Sequence, residues 1–157
     1  MVSTDNNVIA HLKHMAETKP DKIAIYEPDK KEANGRFTYT QCTYKLLNDD
    51  SDLLARGLKV EGVNAGTKTV LMVTPSIAFF TLVFALFKVK AIPILIDPGM
   101  GLKNLKQCLK ESAPDAFIGT LKAHVARVIL GWERGKLKHV LTVGPQTPFC
   151  QKTLNHI

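Results

Sequence analysis

Thr69-Val-Leu-Met-Val73, Ile77-Ala-Phe-Phe-Thr-Leu-Val-Phe-Ala-Leu-Phe-Lys-Val89 and Ile92-Pro-Ile-Leu-Ile-Asp97-Pro98-Gly99 decide the fold. The first is a β-branched run and the second holds a block, Ile77 to Phe87, in which only Thr81 is polar. The third is again apolar and ends in a turn signal. The order is strand, helix, strand. Strands apolar on both faces are expected in the middle of a parallel sheet, where helices cover them from above and below. The apolar block is too short to span a bilayer, which takes roughly 20 apolar residues. Lys88 and Lys90 stop it on one side and Pro75 and Ser76 on the other. A helix sandwiched in an α/β core is the expectation.

Working outward, residues 5–18 have an amphipathic stripe of Val8, Ile9, Leu12, Met15 and Ala16. Asp5, Asn6 or Asn7 is available as N-cap, and Pro20 marks the end. Residues 23–26 read as a short strand and 27–35, with Pro28 and Asn34-Gly35, as a charged turn. Residues 36–42 alternate and pair most simply with 23–26 as a hairpin-like edge. Thr43 can cap a helix with Tyr44, Leu47, Leu54 and Leu58 at helical spacing. Further on come an amphipathic helix over 102–112 (Leu102, Leu105, Leu109), a strand over 116–119, a helix over 122–130 and a strand over 139–143.

Strand and helix thus alternate, predicting an α/β fold with a mostly parallel sheet, helices on both faces and right-handed crossovers. Such sheets bind ligands at the carboxyl ends of their strands. Asp97-Pro98-Gly99 and Gly119-Thr120 lie at such ends. The domain is expected to occupy residues 1–144, with 145–157 an irregular tail.

At 157 residues, one domain is the default. Cys42, Cys108 and Cys150 are odd in number and widely spaced, which argues against a disulfide framework or a zinc site and for a reducing compartment. The polar start lacks the apolar core of a signal peptide, so a cytoplasmic location is expected. The net charge of +7 is uneven: residues 1–84 hold 10 Lys+Arg against 10 Asp+Glu, and residues 85–157 hold 11 against 4. The lysines are scattered and lack interleaved aromatics, so solvated faces are expected rather than a nucleic-acid surface.

Thr43-Tyr44-x-x-Leu47, Val70-Leu-Met-Val-x-Pro-Ser76 and Phe87-Lys-Val-Lys-Ala-Ile-Pro-Ile-Leu-Ile-Asp97-Pro98-Gly99 resemble, in order and spacing, the start of the large N-terminal domain of adenylate-forming (AMP-binding) enzymes, which include the acyl-CoA synthetases. Phe84-Ala-Leu-Phe-Lys88, Leu105-Lys-Gln-Cys-Leu109, Ala116-Phe-Ile-Gly119 and Ala123-His-Val-Ala-Arg127 are similar to the bacterial β-lactone synthetases of olefin biosynthesis. The resemblance covers roughly residues 7–144 and implies a partial N-terminal subdomain of that fold. It implies a family that activates a carboxylate with ATP and Mg²⁺, giving an acyl-adenylate and pyrophosphate. The family's Ser/Thr/Gly-rich phosphate loop has no match here: Val143-Gly144-Pro145-Gln146 carries one glycine. The family's ribose-binding Asp and lid Lys also have no counterpart.

The expectation is a truncated piece of a fatty-acid or β-hydroxy-acid activating ligase, without catalysis or cofactor of its own. No catalytic, cofactor-binding or metal-ligating residue is assigned. The alternatives are the binding half of a split ligase, completed by the missing portion as a separate chain, or a stand-alone domain binding a small anion. Exposed apolar area predicts self-association. Lys90 stands where the family usually has Gly, and αL geometry there would cost about 1 kcal/mol; another turn geometry is equally compatible.

Five constellations could carry chemistry. His11 and His14 are three apart on a helix but lack a third metal ligand. Asp49, Asp50 and Asp52 cluster opposite an apolar stripe, as a solvated acidic face would. His124 and Arg127 share a helix face and could meet a phosphate or carboxylate, although a structural role is favoured. Cys108 has neighbouring lysines without a His or Asp pattern and reads as a semi-buried inert thiol. Trp132 with Leu130 is expected to close a helix end over the core.

Overall fold

The computed structural model describes residues 7–31, 35–96, 101–129, 131, 137–144 and 152–154. In chain order the elements are α1 (Val8–Thr18), β1 (Ile23–Lys31), β2 (Phe37–Thr43), α2 (Tyr44–Val60), β3 (Lys68–Met72), α3 (Ile77–Lys88), β4 (Ile92–Leu95), α4 (Leu102–Ser112), β5 (Ala116–Gly119), α5 (Leu121–Ile129), β6 (His139–Val143) and β7 (Lys152–Leu154). β1 and β2 form an antiparallel hairpin. The others make one parallel sheet in the order β4-β3-β5-β6-β7. The α/β class, the parallel sheet and the antiparallel pairing of the early strands are as the sequence predicts.

Helices cover both faces of the sheet because β3 and β5 alternate two apolar sets. Leu71, Ala116 and Ile118 point to one face and pack with Leu54, Leu58, Leu82, Ala85 and Leu86 of α2 and α3. Val70 and Phe117 point to the other and pack with Leu105 and Leu109 of α4. A smaller cluster of Leu12, Cys42 and Leu47 joins α1 to the hairpin and α2. Each fully buried aliphatic side chain contributes roughly 1.5–3 kcal/mol.

Helix starts follow local chemistry. Asn7, Thr43 and Ser76 each accept a hydrogen bond from a backbone amide of the first turn: Ile9, Leu46 and Phe79, respectively. The one polar residue of α3 before Lys88, Thr81, is buried and donates to the Ile77 carbonyl at 2.8 Å. α2 and α3 end alike. The Val63 amide reaches Leu58 O and the Gly62 amide Lys59 O; the Ala91 amide reaches Leu86 O and the Lys90 amide Phe87 O. Both are Schellman ends, which demand a left-handed residue after the cap. Gly62 (φ 87) fills that place in one and Lys90 (φ 60) in the other, so Lys90 takes the αL geometry.

Four expectations need correction. β4 is an edge strand and not a central one, with Ile92 and Leu95 half exposed; the all-buried centre is β5. α3 is not enclosed all round, since Phe80 and Phe87 reach solvent. β1 runs on through Pro28 to Lys31, where a turn was expected, because β2 supplies a partner as far as Phe37. The stretch read as a patternless tail contains β7, which pairs in parallel with β6. Trp132, Leu130 and Cys150 lie outside the described residues, as do Asp97, Pro98 and Gly99.

Candidate functional site

The chain steps from β3 to β4 on one side, then returns across β3 to place β5 on the other. The carboxyl ends of β4, β3 and β5 therefore diverge, and between them opens a cleft of about 370 Å³. Its walls are Met72, Val73, Thr74 and Pro75 following β3, Ile96 following β4, Leu105 of α4, and Thr120, Lys122, Ala123 and Ala126 at α5. This is where an open α/β sheet places its ligands.

Gly119 ends β5 immediately before the lining residue Thr120. A Cβ there would come within 2.8 Å of the Phe117 ring and 3.0 Å of Ala123 Cβ, so only glycine lets α5 pack this near β5. Thr120 then starts α5, its hydroxyl facing the Ala123 amide at 3.5 Å. Of the two strand-end segments expected to meet a ligand, Thr120 lines the cleft. Pattern reading missed Thr74 and Lys122. The Val-Thr-Pro sequence after β3 was the available signal, since a strand of a parallel sheet leads to the ligand side.

His124 and Arg127 are brought together, but under the cleft and not in it. His124 is fully buried, its ring 5.2 Å from that of Phe117, and Nε2 donates to the Leu141 carbonyl at 3.0 Å. The Arg127 guanidinium lies 5.7 Å from the Phe117 ring centre. Burial, with a smaller push from the Arg127 charge, lowers the His124 pKa, against the raising effect of the Leu141 carbonyl. Nδ1 of His124, Nε of Arg127 and the Thr142 hydroxyl are buried without a hydrogen-bond partner among the described residues. The pair is part of the core and joins α5 to β5 and β6.

The other constellations are dispersed. His11 and His14 are exposed on α1, and His11 borders an open apolar groove with Tyr26, Tyr44, Phe80 and Phe84. Asp49 pairs with Lys45 at 2.6 Å and Asp52 with Lys88 at 2.9 Å. The Lys45 hydrogen bond holds the Asp49 carboxyl below the usual carboxylate range. Burial, and then the Asp50 charge, pushes the Cys42 thiol up, away from a reactive thiolate. Cys108 is half-buried on α4. Among the described residues no group of three or more His, Cys, Asp or Glu could hold a metal ion, and no helix is long and apolar enough to cross a membrane.

The cleft does not fit a metal-bound triphosphate. Such a group needs several backbone amides and cations converging on its oxygens. Among the described residues that line it, seven of ten are apolar and only Lys122 is charged.

Comparison with known proteins accounts for this scaffold. The sequence profile of the family described as AMP-binding enzyme matches residues 12–154. The chain is 46% identical over 150 residues to the olefin beta-lactone synthetase of Stenotrophomonas maltophilia, covering 94% of this chain and 27% of that protein. It is 44% identical over 139 residues to the olefin beta-lactone synthetase of Xanthomonas campestris, covering 88% and 25% respectively. The fold is similar to that of a long-chain-fatty-acid-CoA ligase from Archaeoglobus fulgidus (TM-score 0.76, 20% identity, 90% of this chain and 28% of that one). It is similar also to an anthranilate CoA ligase in complex with anthranoyl-AMP (TM-score 0.74, 18% identity, 92% and 26%). The chain thus spans about a quarter of the length of the curated relatives it matches. On its matching profile and its near-half identity to two such relatives, the chain belongs to the AMP-binding enzyme family.

Proposed function

We propose that this chain supplies the N-terminal sheet of a ligase that activates a fatty or β-hydroxy acid as its adenylate, and that it does not activate an acid by itself. The observation that carries this reading is 46% identity to an olefin beta-lactone synthetase over a segment amounting to 27% of that enzyme. The cleft lining supports the second half of the reading, because one lysine among apolar walls cannot neutralise a triphosphate and its metal. ATP and Mg²⁺ are the family's cofactors, and none is assigned to this chain alone. The proposed compartment is the cytoplasm, in keeping with three widely spaced cysteines.

The test is ATP–pyrophosphate exchange with long-chain β-hydroxy acids and plain fatty acids. No exchange above background is expected from this chain. Turnover by the purified chain would refute the proposal.

A second reading, half of a split ligase completed by another polypeptide, is favoured by the hairpin. Tyr26, Phe37 and Tyr39 are more than half exposed, and the rings of Tyr26 and Tyr39 stack edge to face at 6.4 Å. So much exposed aromatic surface suits a covered interface, or self-association where no cover is supplied. Sedimentation at increasing concentration tests the latter: growth of the weight-average mass is expected, and a monomer throughout would count against it.

A further inference from the structure

We propose that the outward face of α2 docks antiparallel against α2 of a second copy of this chain, about a twofold axis at Leu53. A line of exposed aliphatic side chains is the first support. α2 buries Leu47, Ser51, Leu54, Ala55 and Leu58 on its inner face. Away from that face, Leu46 and Leu53 are each 50% exposed and Val60 is 83% exposed. The three stand seven residues apart, and Asp50 and Gly57 fall between them at steps of four and three, so all five share one narrow stripe. Aliphatic groups repeated at the spacing of a coiled-coil seam suit a neighbouring helix.

Gly57 is the second support. A Cβ there would meet nothing within 4 Å, so packing inside the chain does not call for glycine, which costs about 1 kcal/mol in a helix interior. Against another helix the missing side chain lets two backbones approach closely.

Charge selects the partner. Asp49, Asp50 and Asp52 lie in the first half of α2, and Arg56 and Lys59 in the second. Two copies laid antiparallel about Leu53 set Leu46 against Val60, Leu53 against Leu53 and Asp50 against Arg56. A parallel pair would set Asp50 against Asp50. The helix is thus its own complement, as an isologous contact requires. One helix pair about 25 Å long falls short of a standard interface of roughly 1,600 Å², so the dimer is weak, with a dissociation constant on the order of 100 µM. This surface is distinct from the aromatic hairpin, and the contact needs neither nucleotide nor acid activation.

Sedimentation equilibrium of the whole chain, up to about 0.5 mM, tests the proposal, with unfolding midpoints to check that each variant folds. A monomer–dimer equilibrium is expected. Leu53→Asp, which sets two carboxylates together at the axis, should remove the dimer, whereas Tyr39→Ser on the hairpin should leave it in place. Asp50→Arg and Arg56→Asp, both at exposed positions, should each weaken the dimer roughly tenfold, because each replaces two attractive pairs by two repulsive ones. An equimolar mixture of those two variants sets Asp against Arg at both places again and should recover the original affinity. A monomer at every concentration would leave the stripe to another polypeptide and overturn the proposal. Association unmoved by Leu53→Asp, or a mixture no stronger than either variant alone, would overturn it as well.

Discussion

The Glu27 carboxylate on β1 accepts a hydrogen bond from the Ile77 amide at 2.6 Å, tying the hairpin to the first turn of α3 across fifty residues of sequence. The amides at a helix start have no intrahelical acceptor, and the helix dipole favours negative charge there. Ser76 serves the Phe79 amide of the same turn, so two side chains from different elements complete one helix end. Glu27→Ala should cost about 1–2 kcal/mol, and Glu27→Gln less, since the amide oxygen still accepts. Urea unfolding followed by circular dichroism measures both; equal loss from the two would refute the contribution of the hydrogen bond beyond the charge.

At the other end of α3, Lys88 is the clip to α2. Its side chain is 9% exposed, and Nζ donates to the Asn48 carbonyl at 2.8 Å, Asn48 Oδ1 at 3.0 Å and Asp52 Oδ1 at 2.9 Å. Lys88→Met removes all three bonds and leaves the Asn48 carbonyl with the Ser51 hydroxyl at 2.9 Å, whereas Asp52→Asn removes only the charge partner that faces water. Losses of about 2–3 kcal/mol for the first and below about 1 kcal/mol for the second are expected. Denaturant midpoints in the reverse order would sink this account.

The two matching helix ends give a paired test. Lys90 holds φ 60 at a position where glycine carries no steric penalty. Lys90→Gly should stabilise by up to about 1 kcal/mol, the relief of αL strain exceeding the added freedom of the unfolded chain. Gly62→Ala should do the opposite and more strongly: at φ 87 a Cβ would also fall 2.5 Å from His139 Cε1. Thermal midpoints moving in opposite directions are the expected result.

Buried His124 sets a pH dependence. Its pKa in the fold lies below the ordinary 6.5, so the unfolded chain takes up the proton first as pH falls. This contribution is neutral above pH 6.5, erodes stability between 6.5 and the lower folded value, and then levels off. His124→Gln, which can still donate to the Leu141 carbonyl, should flatten that part of the profile. Urea midpoints at about pH 7.5 and about pH 5.5 compare the two proteins; parallel profiles would show that other groups govern the slope.

What was legible in the sequence follows from how local each cause is. The caps at Thr43 and Ser76, the stripe of α2 and the β3-α3-β4 unit depend on neighbours a few residues away, and all are read directly from spacing. The place of β4 in the sheet depends on which strands flank it, and apolarity alone pointed to the centre. Pro93 was the better signal. The Ile92 amide donates to Thr67 O, so alternation turns the Pro93 nitrogen outward, and a residue with no N–H belongs on an edge. His124 could not be placed from its own helix, because its partners Phe117 and Leu141 come from two different strands. The cleft was half legible: strand polarity located Thr120, while Thr74 and Lys122 needed the sheet order.

Pro93 also gives the sheet a direction of growth. Of the two positions on β4 that look away from β3, only Leu95 has an amide to offer, so a newcomer laid against that margin would find one of its two donors missing. The opposite margin, at β7, carries no such block among its three described residues. Like masonry with one finished face, the structure invites extension from a single side.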